Sequence, residues 1–431
     1  MSACAAERGA DTTTRPGRVV VVVLCGASDR PIASLGDRTP LEAAPTPSLD
    51  ALAARGSCAC VDVISPEIPA ESDSGTMSVL GYDPREHYTG RGPLEALGMG
   101  FWDADGSSVA FRVNFASWDR ATGRLDRRTA RDLSDDELAA LVEEIRAGVR
   151  LPAGVTASLT GFGRHRGILS LTSRTARLSG RVTNTDPGFD AHGPFGVPVA
   201  GPAKAPRPCA PLDDDGVAAE TARLVNLFVE ASAEILEHSE VNRSRRARGL
   251  LPANLLLVRD AGDALPSLGS FRERTGRTLS MYGHIPAERA LAELVGATFA
   301  RAGTYADLVE RLLADPADVV LVRVKGTDEP GHDGRAADKV AALAAIDAEL
   351  IGPLVEALGA DGTLVVTCDH ATPCELGIHS ADRVPTAVAG PGIEPDAVQV
   401  FSERACAGGG LRVDHASALL DAVFRCSAVP R

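Results

Sequence analysis

Two short stretches bring carboxylate and imidazole together. In "KGTDEPGHDG", Asp328 and His332 are four residues apart, and in "TCDHATP", Asp369 and His370 are adjacent. A third histidine, His379, lies in "GIHSADRVP", and a hydroxyl, Ser72, in "AESDSGTMSVLGYDP". Aspartate with neutral histidine is a donor set suited to Mn²⁺ or Zn²⁺. A serine opening a helix meets the positive end of the helix dipole and unpaired N–H groups, a natural phosphate site. Three of the chain's nine histidines fall in these clusters, each near an acidic residue. The pattern points to metal-assisted chemistry on an anionic group.

The elements that must position these residues read as alternating strands and helices. "VVVVVLCGASDRP", residues 19 to 31, is a strand buried on both faces that stops at Cys25-Gly26. "APTPSLDALAARG" reads as a helix with Thr46 as N-cap, Pro47 at its first position and Gly56 as its stop. "CACVDVI", "DVVLVRVKG" and "GTLVVTCDH" read as further strands, and "ADKVAALAAIDAELIGPLVEALG" as one helix ending at Gly359. Strands alternating with helices imply a mostly parallel sheet flanked by helices. Most of the chemical residues fall at or after strand C-terminal ends, where open α/β sheets bind ligands.

The middle of the chain differs. "SSVAFRVNFAS" and "GILSLTS" suggest strands, "SDDELAALVEEIRAGV" opens with a capping box from Ser134 to Glu137, and "TARLVNLFVEASAEILEHSEVN" is an amphipathic helix. The expected organisation is a disordered lead-in over 1–17, a discontinuous α/β core over 18–105 and 275–431, and an inserted α+β domain over 106–274.

Composition limits the partners. The net charge of −14 over 431 residues argues against nucleic acid or an anionic membrane. No apolar run approaches the roughly 20 residues of a membrane span. The nine cysteines are scattered and match no zinc knuckle, which fits a reduced, cytoplasmic protein. Lysine occurs only at Lys204, Lys325 and Lys339; the remaining basic residues are arginines, which bind phosphate and carboxylate in bidentate fashion.

With "GDRTPLEAAPTPSLDALAARG", "ESDSGTMSVLGYDP", "GRGPLEALG", "LDRRTAR", "NTDPG", "LPANLLLVRDAG", "VKGTDEPGHDG" and "CDHATP" in view, the chain resembles the archaeal-type, cofactor-independent phosphoglycerate mutases of the alkaline phosphatase superfamily. The resemblance implies an alkaline-phosphatase-like core and a phosphoserine intermediate on Ser72, with 2-phosphoglycerate converted to 3-phosphoglycerate. It implies two divalent ions, Mn²⁺ or Zn²⁺ with Mg²⁺ or Co²⁺ as alternatives. One is held by Asp328, His332 and His379, the other by Asp369, His370, Ser72 and a first-strand Asp. That Asp is Cys25 here. As a ligand, its thiolate would favour Zn²⁺; otherwise Cys25 is a small buried residue filling a strand end. Substrate contacts are implied for Asp29, Arg127, Arg128, Arg131, Arg166, Arg259 and Lys325. Thr76 and Glu288 or Arg289 also depart from the family, at a His and a Lys position. These departures leave room for a phosphono or other specialised substrate with a glycerate-like acceptor, for a phosphatase, and for a non-catalytic binding protein.

Overall fold

The computed structural model describes residues 17–102, 107–127, 132–201, 204–214 and 216–426. Five valines and a leucine form the strand Val19–Leu24, every residue of it buried. Branched side chains on both faces suit the centre of a sheet covered on both sides. This strand lies between Val319–Val324 and Thr363–Cys368, parallel to both. The complete sheet has seven strands in the order Thr298–Arg301, Leu279–Gly283, Val319–Val324, Val19–Leu24, Thr363–Cys368, Val384–Ala389, Ser57–Val61. Val384–Ala389 runs antiparallel to both of its neighbours.

Register decides where the chemistry sits. Leu24 is level with Val324 on one side and Cys368 on the other. Cys25, Lys325 and Asp369 therefore leave the sheet at one edge, the carboxyl edge of the parallel strands. Gly26, with φ +62°, turns the chain sharply away. A side chain there would stand 2.6 Å from Thr372 Oγ1 and 2.8 Å from Asp328 Oδ1, so a glycine keeps this edge open to its neighbours.

A second sheet is antiparallel. Ser108–Asp119 pairs with Arg124–Asp126, Arg166–Ser173 and Leu255–Gly262, and Arg166–Ser173 pairs with Val155–Phe162. The helices Asp135–Gly148 and Gly216–His238 supply apolar residues to its own core, which includes Phe111, Phe115, Leu141 and Phe228. The helix Arg91–Gly98 links the two halves. Gly92 lies against the backbone of Ala110 in the second sheet, and Gly98 against the backbone of Pro286, which opens the helix Pro286–Leu294 on the first.

Local signals are largely realised. Ser134 Oγ accepts from the Glu137 N–H and Glu137 Oε2 from the Ser134 N–H, both at 3.1 Å. Two expectations change. The helix expected to run unbroken to Gly359 is Ala336–Ile346, a π-helical turn over Asp347–Ile351, then Gly352–Leu358. Thr46 occupies the N-cap position of Pro47–Ala54 without a side-chain cap bond. Asp347, buried in the widened turn, accepts the N–H groups of Ser48 at 3.1 Å and Leu49 at 2.7 Å. A carboxylate from a distant helix thus satisfies the orphan donors that a local cap would otherwise take.

Candidate active site

Ser72 is the first residue of the helix Ser72–Val79. Gly75 packs this helix directly onto the backbone of Asp369 at the end of the Thr363–Cys368 strand. Ser72 Oγ lies 3.4 Å from His370 Nε2. Thr76, buried within the helix, only returns a hydrogen bond to the Ser72 carbonyl, at 2.7 Å.

Three histidines converge beside Ser72. The His332 and His379 rings stack with centroids 5.0 Å apart, and those of His370 and His379 at 3.7 Å. Each Nδ1 faces an oxygen: Gly377 O at 2.9 Å for His332, Ala70 O at 3.0 Å for His379 and Thr372 Oγ1 at 3.0 Å for His370. Carbonyls only accept, so His332 and His379 carry a proton on Nδ1. Thr372 spends its hydroxyl proton on Asp328 Oδ1, at 2.8 Å, so it accepts from His370 as well. Such outer partners fix the tautomer and turn each Nε2 inward as a ligand. Asp328 Oδ1 is 3.4 Å from His332 Nε2 and 3.5 Å from His379 Nε2. Asp328, His370 and His379 can also offer atoms all within 4.8 Å of one another. Burial raises the Asp328 carboxyl, but positive charge on the neighbouring His332, His379 and His370, when they are protonated, and a hydrogen bond from His379 hold it well below the usual carboxylate range. Asp328 with His370 and His379 is thus a group that could hold a divalent ion, and His332 stands beside Asp328 at its edge.

The second expected set does not fit in the same way. Cys25, Asp369 and His370 offer atoms within 4.8 Å of one another, but a guanidinium already stands among them. Arg323 Nη1 is 2.5 Å from Cys25 Sγ and 3.3 Å from Asp369 Oδ2, and its Nε bonds Glu288. His370 Nε2 is 4.0 Å from the thiol. Burial pushes the Cys25 thiol well above its ordinary value, against the opposing pull of Arg323. It also pushes the Asp369 carboxyl up to about 6, with Arg323 again opposing. Cys25, expected either as a thiolate ligand or as a small buried residue, is here a buried thiol paired with an arginine. Glu288, one of the two residues (with Arg289) expected to stand at a Lys position, holds that arginine.

A cavity of about 740 Å³ opens over Ser72, lined on the far side by Arg91, Arg112, Arg127, Arg164, Arg166 and Arg259, and by Lys325 nearer the metal ligands. Arg127 grips Asp186 through two bonds of 2.5 and 2.8 Å. Arg259 pairs with Asp260 and lies over the Phe189 ring at 3.8 Å. These guanidinium groups are fixed in advance for a multiply charged anion. Arg128 and Arg131 lie outside the described residues. Asp29 corrects an expectation. It is not among the residues lining the cavity and pairs with Lys339 Nζ at 2.8 Å, both side chains fully buried, which fits a structural role.

Other members of the site were not singled out in advance. Glu71 lies 3.4 Å from His379 Nδ1 and 2.7 Å from Arg91 Nη1. Burial raises its carboxyl, but His379, Arg259 and Arg91 together hold it well below its ordinary range. Glu95, fully buried, joins Arg91 at 2.8 Å and also bonds Arg112. The four-residue spacing of Arg91 and Glu95 was the available signal, since it places both on one helix face.

Comparison with known proteins fits this geometry. The family model of 2,3-bisphosphoglycerate-independent phosphoglycerate mutase matches residues 53–242. A protein of that name from Aeropyrum pernix is 36% identical over 411 residues, covering 91% of this chain and 95% of the relative. The chain belongs to that family. Another member, from Methanoculleus marisnigri, is 37% identical over 91% of this chain and 93% of its own length. Among solved structures, a Pyrococcus horikoshii protein superposes with TM-score 0.73 at 28% identity, covering 96% of this chain and 97% of that one. The cofactor-independent phosphoglycerate mutase of Thermoplasma acidophilum gives TM-score 0.59 at 29% identity, over 95% and 100%.

Proposed function

We propose that this family member is a metal-dependent phosphoryl-transfer enzyme that interconverts 2-phosphoglycerate and 3-phosphoglycerate through phospho-Ser72. The observation that carries the reading is Ser72 Oγ, placed at a helix start, 3.4 Å from His370 Nε2 and at the floor of an arginine-lined cavity. The arginines take the phosphate and carboxylate charges and hold the phosphorus over Ser72. Ser72 Oγ forms a bond to phosphorus as the bond to the donor oxygen breaks, and the serine proton ends on the released hydroxyl. The other hydroxyl of the retained glycerate then attacks phospho-Ser72 and restores the alcohol. Asp328, His332 and His379 would hold a divalent ion, which would supply positive charge to stabilise phosphoryl transfer; aspartate and histidine donors favour Mn²⁺ or Zn²⁺.

Residues 106–274 are proposed as the recognition domain and 18–105 with 275–431 as the reacting one. No helix among the described residues is long and apolar enough to cross a membrane. The described cysteines are free thiols, in keeping with a reduced cytoplasmic setting.

The test is Ser72→Ala together with trapping of the phosphorylated wild type and mapping by mass spectrometry. The reading predicts phosphate on Ser72 and no turnover in the variant; phosphate elsewhere, or an active variant, refutes it. The Cys25–Arg323–Glu288 arrangement favours one second reading, a phosphono or other specialised donor with a glycerate-like acceptor. Interconversion of phosphoglycerates near the typical enzyme rate of ~10 s⁻¹ would remove its support.

A further inference from the structure

We infer that the guanidinium of Arg323 stands in the place of a second divalent ion, so that this protein carries one exchangeable ion and one cation built into the chain. The inference rests on the phosphoryl-transfer reading only in treating Cys25, Asp369 and His370 as a metal position.

Arg323 belongs to the strand Val319–Val324, level with Val23, and is 2% exposed. A guanidinium this deep must be paired on several sides. Its Nη1 meets Cys25 Sγ at 2.5 Å and Asp369 Oδ2 at 3.3 Å, and its Nε bonds Glu288 Oε1. Glu288 is itself fixed, 1% exposed, and accepts the N–H groups of His284 at 2.5 Å and Ile285 at 3.0 Å through Oε2. One carboxylate oxygen is thus tied to the backbone and the other aims the arginine.

Three properties make this a substitute for an ion. Arginine keeps its charge in proteins, so it cannot yield to an incoming dication by losing a proton. It donates to Cys25 and Asp369, two of the groups the ion would need. The third change is at the partner itself: a thiol at residue 25 offers one soft acceptor where a carboxylate would offer two charged oxygens. Cys25, Arg323 and Glu288 therefore form one connected unit. Arg323 also lines the cavity that holds Ser72.

The experiment counts metal without turnover. Full-length protein is stripped with a chelator, reloaded with excess Mn²⁺ or, separately, Zn²⁺, freed of unbound ion and measured by elemental mass spectrometry. The Mn²⁺ form is also examined by electron paramagnetic resonance. One equivalent per chain with either ion, and an uncoupled mononuclear Mn²⁺ spectrum, is expected. Two equivalents, or a spin-coupled Mn²⁺ pair, overturns the inference and leaves the phosphoryl-transfer reading intact. No bound ion overturns both. Cys25→Asp alone is expected to stay at one equivalent, because the new carboxylate pairs with Arg323. Cys25→Asp combined with Arg323→Met is expected to reach two; a folded double variant that stays at one equivalent means Arg323 is not what excludes the ion.

Discussion

Replacing Asp29 by Asn separates a structural carboxylate from a substrate contact. Asp29 Oδ2 receives Lys339 Nζ at 2.8 Å, and the same carboxylate receives the Cys374 N–H at 3.1 to 3.2 Å. Lys339 Nζ also bonds the carbonyls of Ser28, at 3.3 Å, and Thr372, at 3.0 Å. Both side chains are fully buried. The Asn variant keeps the shape but leaves the ammonium uncompensated, which costs about 3–5 kcal/mol for a buried pair. With an unfolding entropy of roughly 2.1 cal/mol/K per residue, 431 residues give about 0.9 kcal/mol/K. The melting temperature should then fall by about 3–6 °C. Calorimetry on Asp29→Asn, Lys339→Met and the double variant is the assay, with the double variant recovering most of the loss. A shift under about 1 °C, or a raised KM with an unchanged melting temperature, would refute the argument and return Asp29 to the substrate site.

His379→Ala should lose the ion held with Asp328 and His332 and lower activity by orders of magnitude; unchanged metal content means the ligands are misassigned. Arg166→Ala should raise KM about 10- to 100-fold, the worth of one or two charge-assisted hydrogen bonds, with the smaller effect on kcat; steady-state kinetics decides. Glu95→Gln should cost about 3–5 kcal/mol at neutral pH by leaving Arg91 and Arg112 without their shared buried carboxylate. Burial raises the Glu95 carboxyl, but Arg112 and Arg91 outweigh it and hold it below its ordinary value. Its contribution is therefore present above the unfolded value of about 4.3 and fades as pH falls through the lower folded value. Melting temperature against pH should be flatter in the variant below about pH 4.3; parallel curves would count against it.

The strand Val19–Leu24, the helix Pro47–Ala54 and the Ser134 capping box were legible because apolar runs, Pro at a helix start and Ser-x-x-Glu each carry a local cause. The Asp328, His332, Asp369, His370 and His379 clusters were legible because they follow strand ends. Sheet order was not, so the antiparallel placement of Val384–Ala389 could not be read. Asp347 capping Ser48 and Leu49 joins residues nearly 300 positions apart, beyond any local pattern. Arg323 hid in "DVVLVRVKG", read as a plain buried strand. A lone arginine inside such a run is itself a signal, because a buried guanidinium demands carboxylate or other acceptors. Asp29 misled for the converse reason: an acid near a strand end looks functional until its buried partner, Lys339, is seen.

The helix Arg91–Gly98, seated between two sheets with separate cores, has a consequence for how such a protein can change. Ser72, the histidines and Arg323 all hang on the first sheet or its helices, while Arg112, Arg127, Arg164, Arg166 and Arg259 come from the strands of the second and their flanking loops. On the proposed reading, bond-making and ligand choice are written in different parts of the chain. Drift in one part can retune which anion is accepted without disturbing the hydroxyl that reacts. Heredity can treat such a molecule as a fixed tool with an exchangeable grip.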